Sequence, residues 1–525
     1  MKNASKRFYR KNINGKKFRI NKKRVNTEVN SLGWLKLLIV IIIIASQVGM
    51  LIYLAVSFAF TFKWVMAVDF LLSLCLCFYV LSSNKNNLSK GVWIIFLLLG
   101  FPFAPLIFLL STEKVAFFRL NRKTKDCPFL KNEQNVDLQS LQSQTKSVAN
   151  FLYTSGNFNA YKNNAVKYFS LGDQFFNDVL NSIEKAQKFI FMEFFIVSDG
   201  TLFERVFKVL KEKAKSGVDV RIIYDDMGSS RRLYKKTIKK IKDSNIKIRA
   251  FNRITPIFSI GQNYRDHRKI VVVDGQTAYT GGCNLADEYV NLTADKFFWK
   301  DMGVRIDGNA VDEFTRLFLI QWSKITRQEV DLTSFTGLAT INSNHSAVIP
   351  FADGLEYKET IGKGVYINLI SNAREYLYIS CPYFIIDDTI KDLLINKARS
   401  GVQVKIILPE IPDKTLVYWV SRNNAEKLIK HGVKIYTMKN AFVHGKVMLN
   451  ENGVVIGSIN LDLRSFYQQA ECAVYTDDKS VIKEVKSDFE FMEKRSLIID
   501  EQNKLINNSF KGVIVKVLQI FAPFM

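Results

Sequence analysis

Histidine is nearly absent from this chain, with four in 525 residues. Cysteine is sparse too. Its six copies (Cys75, Cys77, Cys127, Cys283, Cys381 and Cys472) fall in no metal-ligand spacing, and two of them lie in an apolar run. Neither a zinc site nor a disulfide framework is expected from that distribution. Acidic residues are missing from the amino end. Glu28 is the only one before residue 34, against eleven Lys or Arg between residues 2 and 24. No small-residue cleavage site follows the first apolar run, and that run is too long for the h-region of a signal peptide, so a removed leader is excluded.

Residues 1–33 therefore read as a basic cytoplasmic leader placed against anionic lipid. Residues 34–112 read as a membrane region with apolar segments at 35–60, 64–82 and 92–111. About 20 apolar residues span a bilayer core, which makes the first two transmembrane candidates. The third is broken by Gly100-Phe101-Pro102 and Pro105 and is followed by Lys114, Arg119, Arg122, Lys123 and Lys125. A re-entrant third segment reconciles the broken helix with basic residues on its far side. The expectation is a multi-pass protein of the cell membrane with the part after the membrane region in the cytoplasm. The net charge of +25 would also suit nucleic acid, but the apolar segments argue against such a partner, and none is expected. Oligomeric state stays open.

Beyond the membrane region, residues 113–170 read as a connecting segment. From 171 helical and strand-like patterns alternate. Phe175–Ala186 and Leu202–Lys215 have helical spacing, while Phe189–Val197 and Val218–Tyr224 are of strand length. The same order recurs between Gly364 and Leu408. Such alternation implies α/β layers with mixed sheets flanked by helices. The boundaries read from the text are a first domain at 171–326, a linker at 327–350, a second domain at 351–500 and an apolar tail at 501–525. Lys511 and Lys516 in that tail fit an interfacial helix, and core packing explains it as well.

Two of the four histidines stand in near-copies of one phrase. The first is His267-Arg268-Lys269, then Asp274, then Gly281-Gly282-Cys283-Asn284. The second is His444-Gly445-Lys446, then Gly457-Ser458-Ile459-Asn460. Each supplies an imidazole, an ammonium and an amide, with small residues where backbone must approach a ligand. That is equipment for phosphoryl transfer: a nucleophile or acid, a charge clamp and oriented donors for phosphate oxygens. The repeat extends further. Lys213-Ala-Lys-Ser-Gly-Val-Asp-Val-Arg-Ile-Ile matches Lys397-Ala-Arg-Ser-Gly-Val-Gln-Val-Lys-Ile-Ile. A period near 180 residues, present twice, marks a duplicated domain. A lone HxK would be no more than surface histidines beside lysines; the full spacing and its repetition remove that alternative.

A catalytic imidazole needs an acceptor on its second nitrogen. Asp301 opens Asp-Met-Gly-Val304 and Glu471 opens Glu-Cys-Ala-Val474, each soon after the asparagine of its own phrase, and the two are paired as orienting acids. Glu288 and Asp295 are rivals in the first half. Asp274, the acid of the first phrase, counts with the catalytic groups by pattern, although with Gly275 it reads as a turn that holds the loop. The second phrase has Asn450-Glu451-Asn452-Gly453 there and is one residue shorter. Glu451 takes the acid's place, and an Asn-Gly turn could substitute if that place is structural.

The spacing HxK, four residues, Asp, six residues, GGxN resembles the HKD signature of the phospholipase D superfamily. Glu193-Phe-Phe-Ile, Tyr224-Asp-Asp-Met-Gly-Ser229, Asn263-Tyr-Arg-Asp-His-Arg-Lys269, Trp299-Lys-Asp301, Pro382-Tyr-Phe384 and Asn460-Leu-Asp-Leu-Arg-Ser465 narrow the likeness to the bacterial cardiolipin synthases, over residues 90–525. The resemblance implies two fused phospholipase D-like domains after a helical membrane anchor, sharing one active site. It implies phosphatidyl transfer between two phosphatidylglycerols, with His267 as nucleophile and His444 as general acid and base. Lys269, Lys446, Asn284 and Asn460 would bind the phosphate, with neither metal nor cofactor required. A phospholipase D that passes the intermediate to water, or a nuclease of the same signature, remains an alternative.

Overall fold

The computed structural model describes residues 63–82, 87–99, 138–254, 263–293, 297–339, 346–500 and 510–520, with scattered residues outside them. The chain divides into two units, residues 1–84 with 93–106 and residues 85–92 with 107–525.

Helix α1 (Lys63–Ser82) has 20 residues and a single acid, Asp69. At 1.5 Å per residue it reaches roughly 30 Å, the thickness of a bilayer core. Among the described residues it alone is long and apolar enough to cross a membrane. Helix α2 (Asn87–Leu99) has 13 residues, roughly 20 Å, too short to span unaided. Most of the apolar run 35–60 and all of the break at 100–103 lie outside the described residues. The multi-pass path expected from sequence is therefore not supported by the described residues.

In the second unit, helix α3 (Ser143–Gly156) precedes two sheets. The first sheet contains β1 (Ala165–Phe169), β2 (Phe189–Phe194), β3 (Asp219–Asp225), β4 (Lys247–Phe251), β5 (Lys269–Val273), β6 (Thr277–Gly281) and β7 (Gly303–Asp307). Its order is β1-β7-β6-β5-β2-β3-β4. The pairs β2–β3 and β3–β4 are parallel and the others antiparallel. Helices α4 (Gly172–Lys185), α5 (Thr201–Lys215), α6 (Lys235–Lys242) and α7 (Val311–Thr326) accompany it. The continuous apolar run of β5 follows from burial on both faces. Ile270 and Val272 enter one core cluster and Val271 and Val273 the other, as a period of two requires.

The second sheet repeats the plan. It is built from β8 (Val348–Asp353), β9 (Tyr376–Ser380), β10 (Gln403–Pro409), β11 (Lys434–Met438), β12 (Lys446–Asn450), β13 (Gly453–Gly457), β14 (Gln469–Thr476) and β15 (Ser496–Ile499). Its order is β8-β14-β13-β12-β9-β10-β11-β15, the first sheet's order with β15 added at the edge. Its helices are α8 (Ile361–Asn372), α9 (Asp388–Arg399), α10 (Thr415–Glu426) and α11 (Lys479–Lys494). The tail forms α12 (Phe510–Ile520), which meets α10 through Val515, Leu518 and a Gln519–Asn424 hydrogen bond of 2.9 Å.

The halves interlock, and this revises the expected boundaries. The segment 113–170, expected as a connection, contains α3 and the edge strand β1. The Gln144 amide of α3 exchanges hydrogen bonds with Asn450 at 3.1 and 2.9 Å, and Thr145 donates to Asp477 at 2.8 Å. In return Asp488 of α11 accepts from Lys300 and Tyr168 of the first half, at 2.6 and 2.7 Å. Strand β8 begins inside the expected linker 327–350.

The acids of the two phrases are clamps at the far ends of β5 and β12, and this corrects their place among the catalytic groups. Asp274 (φ 55°) accepts from the backbone N–H groups of Gln187, Lys188 and Phe189 at 2.7, 2.7 and 2.8 Å. Glu451 accepts from Arg374, Glu375 and Tyr376 at 2.8, 3.3 and 3.4 Å. Each holds the turn that leads into the central strand of its sheet. The missing residue of the second phrase is explained by register. Val273 pairs with Thr277 across a three-residue turn, whereas Asn450 pairs with Gly453 across two. Glu451, with its extra methylene, reaches from the shorter turn. Asp274→Ala removes an acceptor from three N–H groups and is expected to cost roughly 1–3 kcal/mol. The check is a lowered unfolding temperature, with the pH dependence of any residual activity unchanged.

Candidate active site

The site lies where the halves cross. Arg265-Asp266 runs parallel to Gln469-Ala470, with Asp266 opposite Ala470. Phe298-Trp299-Lys300 runs parallel to Ala441-Phe442-Val443, with Lys300 opposite Val443. In each bridge the next residue of one strand is a histidine and the next residue of the other is an acid. The His267 N–H donates to the Ala470 carbonyl and the His444 N–H to the Lys300 carbonyl, both at 2.8 Å. Register thus sets Glu471 beside His267 and Asp301 beside His444.

The side chains complete the crossing. His267 Nδ1 lies 2.9 Å from Glu471 Oε1, and His444 Nδ1 lies 2.6 Å from Asp301 Oδ2. Each half holds the other half's imidazole. The rival acids do not enter: Glu288 pairs with Arg232, and Asp295 lies outside the described residues.

Both pairs are buried, with His267 and His444 exposed by only 7% and 6%. Glu471 also accepts from the hydroxyls of Ser458 and Ser465, the latter at 2.6 Å. Burial pushes its carboxyl up to about 8, while Lys269 and the two serines pull it back. Burial, then Lys269 and Lys446, hold the His267 imidazole well below its usual range. Since both oxygens of Glu471 already accept from serines, a proton on Nδ1 satisfies all these groups together and leaves the lone pair on Nε2. For Asp301, burial works upward, but the His444 imidazole, Lys446 and the Met302 N–H together hold the carboxyl below its usual range. Burial and then Lys446 bring His444 down to about 4.

Ser458 has no hydroxyl counterpart in the first half. Gly282 stands there, and a Cβ on it would collide with the Asp301 carboxylate. One centre thus uses a long acid with a serine, the other a short acid with a glycine. The glycine–serine difference between the phrases was the available signal for Ser458. Nothing in the spacing marked Ser465.

Lys269 and Lys446 are each 1% exposed. Burial is the chief cause that lowers them, Lys269 to about 7 and Lys446 to about 8, and the two ammoniums also repel each other. The ammoniums differ in reach. Lys446 Nζ donates to the His444 carbonyl at 2.5 Å and lies 2.9 Å from His444 Nε2. Lys269 Nζ donates to the His267 carbonyl at 2.5 Å, and no hydrogen bond engages His267 Nε2 among the described residues. The amides differ too. Asn284 accepts from Ile196 N–H at 3.0 Å and donates to the Tyr289 hydroxyl at 2.6 Å. Asn460 has a buried Oδ1 without a partner among the described residues. Aromatic rings wall the pocket. Phe195 lies 5.0 Å from the His267 ring, and Tyr289, Trp299 and Phe442 lie 5.3–5.7 Å from His444.

Two buried lysines beside two buried imidazoles make a site suited to an anion. A duplicated α/β sheet pair that closes two HxK histidines onto such a centre is the architecture of the phospholipase D-like enzymes. The structure of phosphatidylserine synthase from Haemophilus influenzae shares this fold, with a TM-score of 0.54 at 16% identity over 72% of this chain and 97% of that one. Sequence goes further. Residues 179–319 and 366–492 match the family described as "Cardiolipin synthase, PLD-like domain". Cardiolipin synthase 1 of Staphylococcus aureus is 29% identical over 87% of this chain and 97% of its own. Cardiolipin synthase of Oceanobacillus iheyensis is 32% identical over 63% of this chain and 68% of its own. An uncharacterized protein of Streptococcus mutans is 35% identical over 84% and 98%. The chain belongs to the cardiolipin synthase family and is by that membership a phosphatidyltransferase.

Glu471→Gln and Asp301→Asn should each lower turnover by roughly two to four orders of magnitude, the scale set by removing an orienting carboxylate. Because the pairs are crossed, Glu471→Gln should move the His267 ring resonances in a pH titration and leave those of His444 in place, and Asp301→Asn the reverse. Near-normal turnover in either variant would remove that acid from the mechanism.

Proposed function

We propose that the chain joins two phosphatidylglycerols, giving cardiolipin and glycerol through a phosphatidyl-histidine on His267. The observation that carries the choice of nucleophile is the open Nε2 of His267, set against the Nε2 of His444 that faces Lys446. The phosphodiester anion sits between Lys269 and Lys446. Its charge offsets their mutual repulsion and raises the affinity of both imidazoles for protons. His267 Nε2 attacks phosphorus as the bond to the glycerol oxygen breaks, and His444 donates a proton to that oxygen. The glycerol leaves, and a second phosphatidylglycerol brings its primary hydroxyl. His444 takes the hydroxyl proton, oxygen attacks phosphorus, and the bond to His267 breaks. Two in-line displacements retain configuration at phosphorus. Asn460 orients the phosphate through its Nδ2 N–H groups, while Asn284, held by Ile196 and Tyr289, contributes its remaining N–H.

The function is tested with labelled phosphatidylglycerol. Cardiolipin and glycerol in equal amounts are expected; phosphatidic acid in place of cardiolipin would make the enzyme a hydrolase. His267→Ala and His444→Ala should each abolish synthesis. Wild type quenched in denaturant without acid should carry label on a peptide containing His267, and a phosphoramidate on His444 would reverse the two roles.

We further propose that residues 35–60 and α1 cross the cell membrane and that 92–111 is re-entrant, leaving the basic leader and the catalytic unit on the cytoplasmic side. Single cysteines introduced at Asn84 and Lys125 should both escape an impermeant reagent in intact cells. Label at position 125 alone would show three full crossings instead.

A further inference from the structure

The register of the two sheets fixes which edge the catalytic centre faces. Phe194 at the end of β2 pairs with Lys269 and with Tyr224, and Tyr224 pairs with Ala250. The carboxyl ends of β2, β3 and β4 are therefore level with the first HxK. In the second sheet Ser380 pairs with Val447 and with Ile407, so the ends of β9 and β10 are level with the second HxK. The loops that leave these ends form the rim of the site.

That rim carries an unusual share of exposed apolar surface. Among the described residues, eight large apolar side chains of the catalytic unit are exposed. Five of them stand on rim loops: Met227 after β3, Tyr234 at the start of α6, Ile254 after β4, Leu292 beside Asn291, and Leu416 at the start of α10. Tyr234 is tied to the rim by its N–H, which donates to Asp199 in the loop after β2. Leu292 is tied by its neighbour Asn291, which holds both backbone groups of Trp299 against the His444 ring. Cations are interleaved with these residues. Arg231, Arg253 and Lys414 are exposed and enter no ion pair among the described residues. Of the acids on the same loops, Asp226 accepts from the Ile254 N–H and Asp413 from the Tyr383 hydroxyl.

Single exposed apolar residues need no explanation. Five on one rim, with cations between them, are the pattern of a surface that lies in the interface of an anionic bilayer. We infer that the catalytic unit docks on such a bilayer through this rim. Met227, Ile254, Leu292 and Leu416 enter the boundary of headgroups and acyl chains, and Arg231, Arg253 and Lys414 face lipid phosphates. The inference rests on the proposed lipid substrate and extends it. A phosphodiester whose acyl chains stay in the membrane could then reach buried histidines without the whole lipid leaving the bilayer. Docking of the unit is separate from tethering by α1, which holds the chain at a membrane whatever the orientation of the site.

The test uses the full chain reconstituted in vesicles of phosphatidylcholine and phosphatidylglycerol. Leu416→Asp with Ile254→Asp should raise KM for vesicle phosphatidylglycerol by about tenfold or more, the order expected when apolar area is withdrawn from an interface. Activity on monomeric dihexanoyl phosphatidylglycerol should stay within about twofold of wild type, because neither residue belongs to the phosphate site. Equal losses on both substrates would place these residues in the substrate pocket and overturn the inference. A second readout does not need turnover. In a Cys75→Ser, Cys127→Ser background, an environment-sensitive fluorophore on Ile254→Cys or Leu416→Cys should be quenched by lipid bearing a nitroxide high on its acyl chain. The same label on Ser216→Cys, at the opposite sheet edge, should not. Absence of quenching at 254 and 416 would also overturn docking. Wild type inactive on both forms of phosphatidylglycerol would instead defeat the substrate assignment and leave the quenching result to decide docking.

Discussion

The hydrogen bond between each imidazole and a carboxylate from the other half is the constraint on which the rest of the catalytic unit depends. A neutral imidazole needs its Nδ1 proton held if Nε2 is to be of use. The chain does this at two places, 2.9 Å for His267 and 2.6 Å for His444. Side-chain choice alone could not set such distances. They follow from two short parallel bridges whose register places acid opposite histidine, and those bridges exist only when the two sheets are in contact. Asp488 on Lys300 and Tyr168, and Gln144 on Asn450, hold that contact from both directions. The clamps at Asp274 and Glu451 fix the far ends of the strands that carry the lysines.

The electrostatic state follows from the same burial. Removing water from two ammoniums, two imidazoles and two carboxylates lowers the lysines to about 7 and 8 and drives both imidazoles neutral. Lys446 is among the charges that lower Lys269, and an anion placed near both lysines relieves that repulsion. The affinity for an anion is thus stored in the fold before any ligand arrives.

Much of this was legible in the sequence because duplication wrote it twice. The HxK pairs, the glycine-rich turns and the period near 180 residues gave the α/β repeat, and the acids Asp301 and Glu471 stood in matching places after their asparagines. What could not be read was the exchange between halves. Sequence places each acid near its own asparagine, and only pairing between distant segments, 265–266 with 469–470 and 298–300 with 441–443, shows that each acid serves the other half. The clamp role of Asp274 was visible as a turn with Gly275, while that of Glu451 was hidden by a turn one residue shorter. Strand β1 and helix α3 were missed because the segment is largely polar, with Gln144 and Thr145 on the buried face of α3, and because both are held by partners more than 130 residues away. Asn284 looked like a free amide until the structure tied it to Ile196 and Tyr289.

The crossing of acids also says something about origins. A protein with a single copy of this unit would contain a histidine and an acid that cannot meet, and could complete a centre only by pairing with a second copy of itself, each lending its acid to the other. Fusion of two copies would remove that dependence on concentration and release the two centres from identity. The contrast between Glu471 with Ser458 and Asp301 with Gly282 is the mark such a release would leave: two positions once bound to be the same, now free to differ.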